Sequence, residues 1–234
     1  MQHFWVVGTD TDVGKTVITT LLMRQLQQHD LQVTPYKPVQ TGEVHENGHC
    51  YYYDTAMYEK YSLQRLEPEN LNGYSFKEAA SPHFAAQLEG QQINVEHLLQ
   101  QIQKLQQSNE VVICEGAGGL FVPLDTFGEN TLLDVIVQSK LPVVLVTRTT
   151  LGTINHTLLT LEALHTRNVE VLGLVFNGDT GSKMEQDNVK TILQHHDLPY
   201  ATIPKLQDIS QAVDYSISRT SLFERLVNYE TSIN

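Results

Sequence analysis

The sequence predicts an α/β fold, a single-domain, doubly wound and mostly parallel sheet with helices on both faces. Strand-length apolar runs alternate with amphipathic helical segments along the chain, which is the pattern of such a sheet. A glycine-lysine turn separates the first apolar run from the first helical segment. The 234 residues suffice for one substantial α/β domain and are too few for two comfortable ones. We therefore predict one domain over residues 1–234.

The first third of the chain contains two predicted strands and a long insertion. HFWVVG (3–8) reads as a buried strand, and a helix begins near Lys15. LQVTPYKPV (31–39) reads as a second strand that its prolines end. Residues 40–92 show weak periodicity, with DTAMYEKYSL and PHFAAQLEG as short helices. We assign this stretch as an insertion after the second strand.

The periodic pattern is clearer beyond residue 92. A helix over NVEHLLQQIQKLQQS places one apolar face toward the core, formed by Val95, Leu98, Leu99, Ile102 and Leu105. VVICEGAGG (111–119) is a buried strand that runs into a glycine-rich turn. The predicted elements that follow are a helix TLLDVIVQSK, a strand LPVVLVTRT, a helix GTINHTLLTLEALHTRN, a strand VEVLGLVFNG (169–178), a helix around VKTILQHH and a strand YATIPKL.

Composition and charge restrict the class of protein. The net charge of −12 argues against a nucleic-acid binder, which needs clustered Lys and Arg. The longest apolar runs fall well short of the roughly 20 residues that a membrane span requires. The chain contains two widely spaced cysteines, Cys50 and Cys114, so a disulfide framework is not expected. These observations predict a cytoplasmic protein with no nucleic-acid or membrane partner.

The turn GTDTDVGKT (8–16) resembles a phosphate-binding loop with one altered position. Gly8 and Gly14 are separated by five residues where the pattern G-x-x-x-x-G-K-[ST] has four, so that Thr9 stands at the first glycine. Lys15 and Thr16 supply the ammonium and the hydroxyl that such a loop offers to phosphates and Mg²⁺. Because the motif lies between a strand and a helix, we predict a nucleotide site and a fold of the phosphate-loop NTPase type.

Further candidates follow from the sheet, since ligands of open α/β sheets bind at the carboxyl ends of the strands. Lys37 ends the second strand, where its ammonium could meet a transferring phosphoryl group, or could simply be a solvated lysine. Glu115 follows VVIC, at the position of the acidic residue that holds Mg²⁺ in many phosphate-loop enzymes. Asp54 lies in the insertion and could equally be a helix N-cap.

Several segments together resemble the dethiobiotin synthetase family. They are GTDTDVGKT, YKPVQTG, Asp54, SPH (81–83), EGAGG (115–119) and LGTINHTLLT (151–160), and they span residue 4 to about residue 206 in the family's order and spacing. The resemblance implies a cytoplasmic homodimer that closes the ureido ring of dethiobiotin from 7,8-diaminononanoate, CO₂ (or bicarbonate) and ATP, with Mg²⁺. The resemblance also implies that a carbamate of the diamine takes the γ-phosphoryl group before the ring closes.

The resemblance also implies roles for residues. Lys15 and the loop backbone would hold the triphosphate, Lys37 would stabilise the carbamate and the migrating phosphoryl group, and both would be catalytic. Thr16, Asp54 and Glu115 would bind Mg²⁺. The nucleotide-binding residues would be Asp12, Val13, Gly14, Lys15, Thr16, Val17, Asp54, Glu115, Gly116, Ala117, Gly118, Asn177, Pro204, Lys205 and Leu206. The substrate-binding residues, some of them acting across the dimer, would be Thr11, Lys37, Thr41, Gly118, Gly152, Ile154 and Asn155.

One position departs from the family pattern. Relatives often show Asn followed at once by Asp after the strand VLGLVFNG, and that pair reads the adenine. Here the sequence is Asn177-Gly178-Asp179. Loss of one paired hydrogen bond to the base would cost about 1–3 kcal/mol of selectivity. We therefore expect ATP to be used, with other triphosphates as possible substitutes.

The alternative function is a partitioning-type regulatory ATPase that acts through a partner. Such loops read K-G-G-x-x-G-K-[ST], and here Asp10 stands at the position of the additional lysine. Two further classes need cysteine chemistry, namely amide-forming ligases with a glutaminase domain and iron–sulfur electron carriers. Cys114, inside a predicted buried strand, suits neither class.

Overall fold

A computed structural model describes residues 3–228, and residues 1–2 and 229–234 of the predicted domain lie outside the described part. The strands are β1 Phe4–Gly8, β2 Val33–Thr41, β3 Glu43–Glu46, β4 His49–Tyr52, β5 Asn72–Phe76, β6 Val111–Glu115, β7 Val143–Arg148, β8 Val171–Asp179 and β9 Tyr200–Pro204. The α-helices are α1 Lys15–Gln27, α2 Tyr53–Tyr61, α3 Pro82–Leu88, α4 Val95–Ser108, α5 Leu132–Ser139, α6 Thr153–Thr166, α7 Lys183–His195, α8 Ile209–Val213 and α9 Ser221–Asn228, and Pro68–Asn70 form a short 3₁₀ helix.

Seven strands form one sheet in the order β5-β2-β6-β1-β7-β8-β9, and each neighbouring pair in it is parallel. The chain builds outward from β1 to β2 and β5, returns to β6, and then continues on the other side through β7, β8 and β9. This reversal leaves a crevice at the carboxyl ends of the central strands, where ligands of doubly wound folds bind. The predicted fold class is confirmed.

Alternating side chains of β1 feed two apolar cores, one on each face of the sheet. Trp5 and Val7 pack with helices α3 to α7, while Phe4 and Val6 pack with α1 and α9. Trp5 is fully buried, and its indole Nε1 donates to Ser139 Oγ at 2.9 Å. Burial of each large apolar side chain contributes about 1.5–3 kcal/mol. The two cores therefore fix the central strands that carry the loops of the crevice.

The two prolines predicted to end the second strand lie inside it, so that prediction was wrong. Strand β2 pairs with β6 over its first half and with β5 over its second half. The N–H of Lys37 donates to Leu71 O on the β5 side. Since N–H groups alternate sides along a strand, Pro35 faces the β5 side before β5 begins and Pro38 faces the β6 side beyond the last pair. Neither proline removes a ladder hydrogen bond.

The insertion contains more strand than the sequence predicted. The short helices α2 and α3 were predicted, and both form. The antiparallel hairpin β3–β4 and the edge strand β5 were not predicted. β5 is only five residues long, with the sequence NGYSF and a mostly half-buried pattern, so it lacks the apolar run that marked the central strands.

Helix α7 begins at Lys183, earlier than the predicted VKTILQHH segment. Ser182 caps it, because the Ser182 hydroxyl accepts from Glu185 N and the Glu185 carboxylate reaches back to Ser182. In the described part of the chain, no helix is both long and apolar enough to cross a membrane.

Candidate active site

The turn between β1 and α1 has the backbone of an anion-binding loop. Asp12 and Gly14 adopt left-handed conformations, with φ of 56° and 97°. Gly14 is the N-cap of α1, which receives no side-chain cap, so the first N–H groups of the helix are available to an anion. A Cβ on Gly14 would lie 2.1 Å from Asn177 Nδ2. Conformation and space therefore both require glycine at position 14.

Close packing, and not a strained backbone, explains the residues found at positions 8 and 9. A Cβ on Gly8 would lie 2.7 Å from Val13 Cγ2. Thr9, at the altered motif position, has a negative φ, and its hydroxyl donates to Thr147 Oγ1 at 3.4 Å. The loop thus tolerates threonine here because the left-handed residues lie further along, at Asp12 and Gly14.

A cavity of about 370 Å³ opens in front of this loop, at the carboxyl ends of β1, β2 and β6. It brings together twelve of the residues predicted for the site, and three more residues that were not predicted. The lining comprises Thr11, Asp12, Gly14, Lys15, Thr16, Val17, Lys37, Val39, Gln40, Thr41, Tyr53, Asp54, Glu115, Ala117 and Gly118.

Lys37 is held at the floor of the cavity between two carboxylates. Its Nζ lies 2.6 Å from Glu115 Oε1 and 2.7 Å from Asp54 Oδ2, and it donates to Gly116 O at 3.2 Å. Burial alone would lower the pKa of Lys37, but the charges of Glu115 and Asp54 outweigh burial and raise the pKa. Lys37 is 4% exposed, so it is a buried ammonium and not the solvated lysine that was the alternative.

Asp54 lines the cavity and is not the helix cap that the sequence left open. Tyr52 is the N-cap of α2, and Asp54 lies within the first turn. Burial would raise the pKa of Asp54, but the ammonium of Lys37 lowers it below the usual range. The carboxyl group is therefore ionised at neutral pH and is held by contacts made across the cavity.

The Thr16 hydroxyl faces two carboxylates at once. Its Oγ1 lies 2.6 Å from Asp54 Oδ1 and 2.8 Å from Glu115 Oε1. A hydroxyl has one proton and can donate to only one of these acceptors. Three hard oxygen atoms therefore converge in a place that favours a cation, and such ligands suit Mg²⁺. The donor set of Thr16, Asp54 and Glu115 fits the predicted metal.

Lys15 lies across the mouth of the loop, where its Nζ donates to Asp10 O at 2.8 Å. Burial, followed by the charge of Lys37, lowers the pKa of Lys15 to about 8. The ammonium groups of Lys15 and Lys37 thus both line one small cavity, which is an arrangement suited to a polyanion.

A buried tyrosine contacts the site from behind. Tyr58 lies on α2 and is fully buried, and its hydroxyl donates to Glu115 Oε2 at 2.5 Å. Burial and the charge of Glu115 raise the pKa of Tyr58 well above its usual value, so the phenol is protonated. Sequence reasoning missed this residue. The available signal was its spacing of four from Asp54, which places both side chains on one helical face.

The other predicted nucleotide residues lie around the far side of the loop. Asn177 Nδ2 donates to Val13 O at 2.9 Å, so the side chain reaches the loop backbone. The additional Gly178, with φ of 84°, lies at a register shift in the β8–β9 pairing. It forms a bulge after which Asp179 O accepts from Lys205 N at 2.8 Å. Val13, Gly116 and residues 204–206 do not line the cavity.

Gly152, Ile154 and Asn155 also lie outside the cavity, at the start of α6. Gly152 is the N-cap and Asn155 is exposed. The surface near them contains a cavity of about 830 Å³ that Phe121, His156, Leu159 and Arg167 help to line. Phe121 and Leu159 are exposed apolar side chains on this surface.

Two other groups do not add to the site. Cys114 is buried, and burial raises the pKa of its thiol, which makes it unsuited to nucleophilic chemistry. On the β3–β4 hairpin, His45 Nε2 pairs with Glu43 at 2.9 Å and His45 Nδ1 contacts Cys50 Sγ at 3.1 Å. His45 thus uses both ring nitrogens within the hairpin.

Comparison with known proteins reveals close relatives over the whole chain. A family model described as an AAA domain matches residues 2–213. An ATP-dependent dethiobiotin synthetase BioD of Lysinibacillus sphaericus is 75% identical over 234 residues, which covers 100% of both chains. That of Fusobacterium nucleatum subsp. nucleatum is 41% identical over 194 residues, covering 82% of this chain and 86% of the relative.

Solved structures share the fold at low identity. The cell division ATPase MinD of Pyrococcus furiosus is 14% identical with a TM-score of 0.61, covering 97% of this chain and 99% of that chain. A cobyrinic acid a,c-diamide synthase of Mycobacterium smegmatis, with bound ADP and magnesium, is 14% identical with a TM-score of 0.50, covering 91% and 90%. At such identities the likeness concerns the fold alone.

Proposed function

The chain belongs to the ATP-dependent dethiobiotin synthetase family, and from this premise we propose how its phosphate-loop site carries out the reaction. As a member of that family it is an ATP-dependent ligase of biotin biosynthesis. The observation that carries the mechanism is Lys37, held between Glu115 and Asp54 at the floor of the loop cavity. We further propose that residues 1–234 act as one domain.

The proposed substrates are 7,8-diaminononanoate, CO₂ and ATP. One amine adds to CO₂ and loses a proton, which gives a carbamate. A carbamate oxygen then attacks the γ-phosphorus, and ADP leaves. The second amine attacks the carbonyl carbon of the resulting carbamic-phosphoric anhydride, loses a proton and expels phosphate as the ring closes. Each step develops negative charge on oxygen, which a fixed ammonium stabilises.

The loop from Asp12 to Val17 binds the triphosphate through backbone N–H groups and Lys15. Lys37 binds the carbamate oxygens and the migrating phosphoryl group, so its role is electrostatic. Support comes from the shared cavity, which both ammonium groups line. The neighbouring carboxylates keep Lys37 charged, so its proposed role is to stabilise negative charge and not to transfer a proton.

Thr16, Asp54 and Glu115 would hold Mg²⁺. The metal would neutralise charge on the β- and γ-phosphates when bound. The support is that the Thr16 hydroxyl oxygen lies within hydrogen-bond distance of one carboxylate oxygen of Asp54 and one of Glu115. Asn177, with Pro204, Lys205 and Leu206, would contact the nucleotide from the β8–β9 side. The bulge at Gly178 displaces Asp179 from the family spacing, which favours use of other triphosphates beside ATP.

Thr11, Thr41 and Gly118 would contact the carbamate end of the diamine, and Gly152, Ile154 and Asn155 of a second copy would contact its tail. This arrangement requires a homodimer. The apolar side chains Phe121, Leu151 and Leu159 are 58%, 86% and 57% exposed, which supports an interface on this surface.

We expect Leu151→Glu to shift the protein from dimer to monomer, because it places a charge in the proposed apolar interface. Light scattering after size-exclusion chromatography measures the mass directly. Leu63→Glu is the control, since Leu63 is also exposed, at 51%, and lies beyond α2. A monomeric wild-type protein, or a Leu151→Glu variant that stays dimeric, would contradict this interface.

Phosphate release by the purified protein with Mg·ATP and bicarbonate tests the proposed substrates. We expect release only when 7,8-diaminononanoate is present. Release that ignores the diamine would contradict the mechanism. Repeating the assay with CTP and GTP tests base selectivity, and an ATP preference above about a thousandfold, equivalent to roughly 4 kcal/mol, would exclude relaxed selectivity.

Binding of ATP should weaken above about pH 8. Only the protonated Lys15 attracts the triphosphate, and the pKa of Lys15 in the free protein is about 8. Affinity should be constant below this value and fall by up to about tenfold per pH unit above it. Calorimetric titration from about pH 7 to about pH 9.5 measures this decline.

Lys15→Arg is the matched control, because a guanidinium stays charged throughout this range. Its affinity should be lower than that of the wild type but independent of pH. Equal wild-type affinity at about pH 7 and about pH 9 would show that the Lys15 ammonium does not titrate in this range.

A further inference from the structure

Tyr58 is a buried side chain that contacts the site and has no role in the mechanism above. It lies on α2 four residues after Asp54, so the same helix carries one proposed metal ligand and contacts another. Its side chain is 0% exposed, and its hydroxyl donates to Glu115 Oε2. The contact joins two elements that are 57 residues apart in the chain.

The two oxygens of Glu115 have separate partners. Oε1 faces the site, where Lys37 Nζ lies at 2.6 Å and Thr16 Oγ1 at 2.8 Å. Oε2 faces away and accepts from Tyr58 at 2.5 Å. Rotation about the terminal bond of a glutamate side chain is soft, so the Glu115 carboxylate could turn if Oε2 had no partner. Because Glu115 is 0% exposed, water is poorly placed to replace the phenol.

We propose that Tyr58 is a positioning residue that fixes the Glu115 carboxylate, so that Oε1 is presented to Mg²⁺ together with Asp54. This inference rests on the proposed function, because it presumes the metal site of Thr16, Asp54 and Glu115. Helix α2 then sets both carboxylates at once, Asp54 directly and Glu115 through the phenol. Outer-shell partners of this kind orient metal ligands and tune their affinity.

Tyr58→Phe removes the hydroxyl and keeps the packing of the ring. We expect the Mg²⁺ concentration that gives half-maximal ATP binding to rise by about 10- to 100-fold, the usual cost of losing an outer-shell partner. Calorimetric titration of ATP at a series of Mg²⁺ concentrations, without diamine or bicarbonate, measures this directly. ATP affinity in the absence of Mg²⁺ should stay within about threefold of wild type, because the loop and Lys15 are unchanged.

Tyr36→Phe is the matched control. Tyr36 is 1% exposed and its hydroxyl also makes one short side-chain hydrogen bond, to Gln101 Oε1 at 2.5 Å, outside the site. Both variants lose one side-chain hydrogen bond, which is part-buried at Tyr36 and buried against a carboxylate at Tyr58, so both should lower the melting temperature, Tyr58→Phe by more. Only Tyr58→Phe should change the Mg²⁺ dependence.

An unchanged Mg²⁺ dependence in a folded Tyr58→Phe protein would overturn the inference and leave the proposed metal site standing. Wild-type ATP binding that is indifferent to Mg²⁺ would overturn both. If Tyr58→Phe does not fold, Tyr58→Phe/Glu115→Gln replaces it, because that pair leaves no unpaired buried charge. Its Mg²⁺ affinity should equal that of Glu115→Gln alone. A further tenfold loss, about 1.4 kcal/mol, would show that Tyr58 acts by another route and overturn the inference.

Discussion

Lys37→Ala should lower the rate of dethiobiotin formation by about 10³-fold or more, the largest effect that we expect from one substitution. The variant removes the ammonium that faces the carbamate and the transferring phosphoryl group, and it leaves the phosphate loop in place. The measurement is turnover at saturating Mg·ATP, bicarbonate and diamine. Lys104→Ala, on the exposed face of α4, is the control and should match the wild type.

The same substitution should also destabilise the protein. Removing Lys37 leaves the buried Glu115 and the half-buried Asp54 without their shared partner, and breaking a buried ion pair costs about 3–5 kcal/mol. Denaturant unfolding measures this loss, and turnover is then compared only under conditions where the variant is folded. Near-normal turnover in a folded Lys37→Ala protein would remove Lys37 from the mechanism.

Glu115→Gln should weaken Mg²⁺ binding and Mg²⁺-dependent nucleotide binding together, by about 10²-fold or more. The amide keeps the shape of the side chain but replaces a charged oxygen ligand, and it removes one of the two negative charges beside Lys37. Calorimetric titration with ATP at fixed Mg²⁺, and then with Mg²⁺ at fixed ATP, separates the two effects.

Glu110→Gln is the control for that experiment. Glu110 immediately precedes β6 and is exposed, and its carboxylate accepts from Gln32 N at 2.7 Å, so it lies at the opposite end of the strand from the site. The control should retain the wild-type titration curves. Unchanged Mg²⁺ curves in Glu115→Gln would mean that the metal is held elsewhere.

Much of the site could be predicted from the sequence because parallel strands end at a common edge. The loop motif placed Lys15 and Thr16 after β1, and the strand pattern placed Lys37 and Glu115 on β2 and β6. Glu115 ends β6, whereas Lys37 lies in the middle of β2 and not at its end as predicted. The structure brings all four into one cavity. Asp54 was a candidate that could equally be a helix cap, and only the family resemblance assigned it to the metal, because its approach to Lys37 depends on how the insertion folds back.

The insertion itself was predicted less well. Strand β5 is short and polar and lies at the sheet edge. Its pairing with β2 stabilises it as a strand, although its own sequence carries no clear strand pattern. Tyr53 and Gln40 line the cavity, and Tyr58 lies behind it, although the tyrosines of this region carry no motif. Contacts between distant segments are set by packing, which local periodicity does not encode.

The shared fold with MinD does not favour the alternative function as a regulatory ATPase. The position of the additional lysine in such loops is occupied by Asp10, whose side chain accepts from Thr11 N at 2.7 Å. Its backbone oxygen accepts from Lys15. Asp10 therefore stabilises its own loop, and it carries the wrong charge to reach the phosphate of a second copy.

The single tryptophan gives the protein an internal optical probe. Trp5 is the second residue of the central strand β1, fully buried and hydrogen-bonded to Ser139, and it does not line the loop cavity. Its fluorescence therefore reports on the integrity of the sheet rather than on occupancy of the site. Unfolding of the variants above can be followed by indole emission in the presence of nucleotide and metal, without a label.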